Sequence, residues 1–203
     1  MSLYLRLLWT LLMARLRGPL PLDATVVQRW RVLPNDLDVN RHMNNGRYLT
    51  VVDLGLVEFF ARTGFLRALL RRRWRPMAGG VLMHFRRGLD PFQRYELHFR
   101  WLCSDARWNY MAIEFRREGV LHAAGLMKGG AVARSGLVPT ADYLDAFAPA
   151  QRALVTAMLA RPLTPDVEAW RAAEQALVAR IRRGEGEAAN DATPGDGASP
   201  GPG

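Results

Sequence analysis

The sequence predicts an α+β domain in which one long apolar helix is wrapped by a curved antiparallel sheet. Three observations predict it. After Asn45 apolar residues recur at helical spacing as far as Thr63, and Gly64 is placed to end the run. Between Val81 and Ala133 four strand-like segments follow one another with no helix between them. One further strand pattern, Val26 to Leu33, precedes the helix and is stopped by Pro34.

A chain of 203 residues has room for one domain with a real core and for ends beyond it. Its single cysteine, Cys103, forms no internal disulfide and excludes a cysteine-type zinc site, which suits a reducing compartment such as the cytoplasm. His84, His98 and His122 come from different strand patterns without ligand spacing, so neither a metal nor any other cofactor is expected. The net charge of +9 raises nucleic acid and anionic lipid as partners. Lys128 is the only lysine, however, and the arginines are scattered apart from the run Arg71 to Arg75, so no nucleic acid is expected. That run reads either as a solvated helix end or as a phosphate site.

Taken in order, Leu3 to Leu16 is rich in Leu, Trp and Met, with Arg6 and Arg15 inside it and Arg17 and Gly18-Pro19 after it. It is shorter than the ~20 residues that span a bilayer. Two readings stay open: a helix flat on the inner face of a membrane, or one packed on the domain. In the long helix Tyr48, Leu49, Val52, Leu56, Phe59 and Phe60 share one face, and Arg47, Thr50, Asp53, Glu58 and Arg62 the other, solvated one. Asn44 or Asn45 can cap its start. A short helix from Phe65 to Arg73 and an extended stretch from Trp74 to Gly80 lead into the strands Val81–Arg87, Arg94–Cys103, Trp108–Arg117 and Val120–Ala133. Alternation is clearest where Tyr95, Leu97, Phe99, Trp101 and Cys103 point one way and Glu96, His98 and Arg100 the other. Asp90-Pro91, Ser104-Asp105 and Glu118-Gly119 are turn material, which predicts that consecutive strands are antiparallel neighbours. Helical patterns return from Pro149 to Ala160 and from Thr164-Pro165-Asp166 to about Gly184. Four regions result: an amphipathic segment (1–20), the main domain (24–145), a helical extension (146–183) and a disordered Gly/Pro/Ala tail (184–203).

Chemistry concentrates between the first strand and the long helix. Pro34 to Leu49 holds two carboxylates (Asp36, Asp38), an imidazole (His42) and four amides (Asn35, Asn40, Asn44, Asn45). A polar loop emptying into a helix start offers a base or nucleophile, groups that orient it, and backbone N–H donors aimed at an incoming oxygen. The run Asp36-Leu37-Asp38-Val39-Asn40-Arg41-His42-Met43-Asn44-Asn45-Gly46-Arg47-Tyr48 closely resembles the motif of the hotdog-fold thioesterases, both the 4-hydroxybenzoyl-CoA type and the plant acyl-ACP type, and most of all the bacterial relatives of thioesterase superfamily member six. The likeness covers roughly Val26 to Ala133.

This resemblance implies a hydrolase of acyl-CoA or acyl-carrier thioesters that assembles as a dimer or dimer of dimers with the acyl chain in a tunnel between subunits. It assigns Asp38 as nucleophile or as general base for water, with Asn40 and His42 beside it. It assigns the backbone N–H of Asn45 or Gly46 to the thioester oxygen, and Tyr48 to the substrate. Each residue also has a plainer reading: Asp38 and Asp36 as loop braces, His42 as a cap, Asn44 and Asn45 as the helix entry, Tyr48 as core, and Asp53 and Glu58 as a solvated or interface stripe. Cys103 reads as buried filler. A non-catalytic protein that binds acyl thioesters or lipid at a membrane surface is the alternative from a different functional class.

Overall fold

The computed structural model describes residues 3–191. Its chain divides into two units, Met1–Thr164 and Pro165–Gly203. In the first, helix α1 (Leu3–Arg17) is followed by strand β1 (Val26–Arg31), helices α2 (Asn45–Thr63) and α3 (Phe65–Arg72), strands β2 (Arg75–Phe85), β3 (Arg94–Ser104), β4 (Asn109–Arg117), β5 (Val120–Ala133) and the short β6 (Gly136–Leu137), and helix α4 (Arg152–Leu159).

The five long strands form an antiparallel sheet in the order β1-β3-β4-β5-β2, with β6 added to β5. One face receives α2. Val51, Val52 and Phe59 meet Leu97, Phe99 and Phe115 there, all nearly inaccessible to solvent. The predicted alternation of β3 holds, since Tyr95, Leu97, Phe99, Trp101 and Cys103 are all buried. Asn44 caps α2 by accepting the Gly46 N–H, and Gly64 ends it in the left-handed region at φ 81°. Close approach of helix to sheet depends on Gly55: a Cβ there would sit 2.6 Å from Leu97 Cδ2.

Several expectations are corrected. β2 begins at Arg75, ahead of the predicted Val81, because Arg75 to Gly80 extends the β5 pairing through a register shift between Ala78 and Gly80. β2 and β3 are not neighbours. Asp90-Pro91 lies in a link that crosses the open end of the sheet, where Met43 N–H donates to Leu89 O, and Val32 exchanges backbone bonds with Gln93 and Phe92. Glu58 is not solvated: it is 1% exposed, and Arg17, Arg62 and Gln28 all donate to its carboxylate. α1 packs against α2, yet the residues it buries are Arg6, Thr10 and Ala14 rather than its leucines.

In the second unit α5 (Pro165–Asp191) starts at the predicted Pro165 but runs past Gly184 to Asp191. The Glu- and Ala-rich sequence Glu185 to Ala189 favours helix, and two glycines tax it by only about 1 kcal/mol each. The rest of the expected tail, 192–203, lies outside the described residues.

Candidate active site

The loop between β1 and α2 is a small self-bonded structure. A 3-10 turn at Pro34–Asp36 is followed by an antiparallel bridge between Leu37 and Met43. Within that bridge Asp38 N–H donates to His42 O at 2.9 Å and Arg41 N–H to Asp38 O at 3.1 Å. Arg41 takes the left-handed backbone this tight reversal requires, at φ 63°. The bridge folds the chain back on itself, so Asp38 lies beside the segment that leads through Met43 into the Asn44 cap.

Asp38 is half-buried, and its Oδ1 accepts the N–H groups of Asn40 at 2.8 Å and His42 at 3.3 Å. Its Oδ2 has no protein hydrogen-bond partner among the described residues. One oxygen is held by the backbone and the other is left without a protein donor, an arrangement compatible with attack or with proton abstraction. Asn40 and His42 both have exposed side chains. His42 Nε2 stands 3.4 Å from Asp90 Oδ1, and its ring packs on Gly88, where a Cβ would come within 2.8 Å of Cδ2. The crossing link therefore positions the imidazole. Asp90 was not visible as a site residue in sequence, because its neighbourhood to His42 depends on where that link passes.

At the helix entrance the Gly46 N–H is already taken by Asn44 Oδ1 at 2.8 Å. Among the described residues the Asn45 N–H has no protein partner, which makes it the donor available to an oxyanion. Tyr48 lies in the hydrophobic core. It is 2% exposed and packs edge-on against Phe85 and Phe115, and burial pushes its hydroxyl up to about 12 against a backbone hydrogen bond with Leu89. Asp36 is fully buried. Its Oδ2 accepts from Arg6 and from Leu33 N–H, and its backbone O accepts the Asn44 N–H, so it ties α1, the 3-10 turn and the helix cap together.

Two turns along α2, Asp53 lines an apolar cavity of about 220 Å³ together with Leu56, Phe60, Met77, Met111 and Met127. Burial alone raises its carboxyl above the usual carboxylate range. Among the described residues no group of three His, Cys, Asp or Glu side chains is placed to hold a metal.

The sequence model of the thioesterase-like superfamily matches residues 32–163, which takes in this loop, α2 and the whole sheet from β2 to β6. The chain belongs to that superfamily. Protein THEM6 of Xenopus laevis is 34% identical over 84 residues, covering 41% of each chain. The thioesterase poxG of Penicillium oxalicum is 26% identical over 98 residues, 41% of this chain and 32% of that one. The chain thus spans less than half the length of these curated relatives. Among solved structures, Staphylococcus aureus SAV2348 in complex with CoA superposes with a TM-score of 0.54 at 12% identity, covering 73% of this chain and 94% of that one. At such identity the likeness speaks of fold, and the central helix in a curled antiparallel sheet is the hotdog fold of the thioesterase-like superfamily.

Proposed function

We propose that the protein hydrolyses acyl-CoA or acyl-carrier thioesters at Asp38. The observation that carries this reading is the division of labour in its carboxylate: Oδ1 accepts two backbone N–H groups while Oδ2 accepts none among the described residues, in the same loop that ends at the unpaired helix-entrance N–H of Asn45. Either Oδ2 attacks the thioester carbon directly or it takes a proton from an attacking water. In both cases the carbonyl oxygen gains charge that the Asn45 N–H stabilises, and the carbon–sulfur bond breaks as the thiolate leaves and takes up a proton from the water consumed; on the direct route that water hydrolyses the acyl–aspartate anhydride and restores the carboxylate. Losing a donor of that kind typically costs about 3 kcal/mol of barrier. His42, steadied by Asp90, stands within the same loop as a proton carrier, and Asn40 shapes the turn that presents Asp38.

CoA as the thiol is supported by the superfamily and by the CoA bound to SAV2348. The apolar cavity beside Asp53 and β2 gives an acyl chain a dry wall. β2 is the outer strand of the sheet, eleven residues long, with Met77, Val81, Leu82 and Phe85 partly exposed, which supports a homodimer formed by edge-to-edge pairing that would close this cavity. Release of thiol from a panel of acyl-CoA thioesters by wild type and Asp38→Asn tests the reading. Turnover that falls at least 100-fold in the variant while its melting temperature is kept is the expected result. The fixed Oδ1 equally suits a loop brace in a protein that binds acyl thioesters or lipid without cleaving them. Equal rates in both proteins, or no turnover of any thioester, would put that second reading first.

A further inference from the structure

We propose that the outward face of α1 and the arginine pair beside it form a docking surface for a membrane rich in anionic phospholipid. The inference stands independently of thioester hydrolysis, because none of the residues that would touch the membrane lies in the Asp38 loop.

α1 is mounted inside out. Its inner stripe is Arg6, Thr10 and Ala14, one residue per turn, and its outer face carries Leu5, Leu8, Trp9, Leu12 and Leu16, of which Leu8 is 63% and Leu16 69% exposed. A helix driven onto the domain by the hydrophobic effect would turn its leucines inward. Polar contacts fix the opposite orientation. Arg6 pairs with the fully buried Asp36, and its guanidinium lies 5.7 Å over the Trp30 ring. At the other end Arg17 donates to Glu58 and to Val27 O, and Arg62 holds Gly18 O just beyond the helix. With both ends pinned, the apolar face cannot roll under. It remains a contiguous exposed patch, which marks an interaction site.

The groove beside this patch supplies the charge. It measures about 1290 Å³, with Leu5, Leu8, Trp9 and Leu12 on one wall and the outer ends of β1, β3 and β4 on the other. In the β1–β3 register Arg31 lies directly opposite Arg94. Like charges in that position repel. The carboxylates nearby do not relieve them, since Glu96 is paired with Arg29, Glu114 with Arg116 and Glu118 with Arg117, and no ion pair joins Arg31 or Arg94 to any described carboxylate. An anion between the two guanidinium groups would.

An apolar wall facing a bare arginine pair matches an acyl chain below a phosphate headgroup. α1 then lies in the plane of the interface, with Trp9 at headgroup depth. No described helix is long and apolar enough to cross a membrane. A second copy of the chain fits worse. A two-fold contact through this face would set the same arginine-rich patch against itself.

Sedimentation of the full-length protein with vesicles tests the surface. Binding to phosphatidylglycerol-rich vesicles, weakened by salt and much weaker on phosphatidylcholine alone, is the expected result. Arg31→Gln and Arg94→Gln each lower affinity about five-fold on the anionic vesicles only. Leu8→Asp with Trp9→Asp abolishes binding, while an unchanged melting temperature and unchanged thiol release from soluble acyl-CoA show that fold and turnover are intact. Failure of the wild type to bind phosphatidylglycerol vesicles overturns the proposal. So does a self-association that Leu8→Asp dissolves without any vesicle binding, or a CoA affinity that the two arginine variants lower while vesicle binding stands.

Discussion

Asp36 and Asp38 sit in one loop, and burial assigns them opposite work. Asp36 has no contact with water, receives Arg6 and Leu33 N–H, and keeps Oδ1 without a partner, as Arg6 keeps Nε. A pair taken so fully out of water gains little net stability, but removing one member strands the other. Asp36→Ala is therefore expected to lower the urea unfolding free energy by about 3–5 kcal/mol. Asp38→Asn keeps its oxygen acceptor and should cost about 1 kcal/mol or less. Measured side by side, the two separate the brace from the proposed reactive group. Asp53 gives a pH signature. Its folded pKa is raised by burial, so its contribution to stability is present below the unfolded carboxyl value and is lost as pH rises through the folded one. Asp53→Asn should accordingly melt higher than wild type at pH 7, with the difference closing near pH ~3. A difference that grew as pH fell would contradict the sign.

At the scale of elements, α2 is placed by one missing side chain. Gly55 faces Leu97 and Phe99 on β3, with Leu97 Cδ2 at 2.6 Å from any Cβ and no exposure through which Leu97 could escape. Gly55→Val is expected to destabilise by about 1–3 kcal/mol despite valine's better helix propensity. Pairing it with Leu97→Ala should restore part of the loss, a coupling visible in a double-mutant cycle by urea melts. The periodicity of α2 was legible in sequence, as were its Asn44 cap and Gly64 stop. Which residues of its charged face were solvated was not. Glu58 falls on the polar side by period, yet Arg17 from the end of α1 and Gln28 from β1 converge on it, and neither is close in sequence. Likewise α1 reads as amphipathic from its pattern, while the choice of inward face was made by Asp36, a partner 30 residues away.

On the scale of the whole molecule the open question of assembly falls on β2. Its outer edge leaves a row of backbone donors and acceptors unpaired by the described chain, next to the cavity that holds Asp53. A dimer measured by light scattering after size exclusion is the expected state, and Leu82→Lys on that strand is expected to shift it toward monomer. Persistence of the dimer in the variant would place the contact elsewhere. The second unit, α5, lies outside the superfamily match, which ends at residue 163. Its sequence announces a helix start at Thr164-Pro165-Asp166 and its length is the structure's own information.

The sequence by itself determined the α+β class, the central helix with both its ends, the alternation along β3, and, through one contiguous motif, the kinship with the thioesterase-like superfamily. These are local properties: period, capping, turn chemistry and a contiguous motif all act within a few residues of one another. Tertiary structure alone decided that β2 crosses to the far edge beside β5, that the link carrying Asp90 passes beside His42, and that α1 turns its leucines outward. Each of those is a competition between partners distant along the chain, settled by which contacts can be satisfied together when the sheet closes around α2.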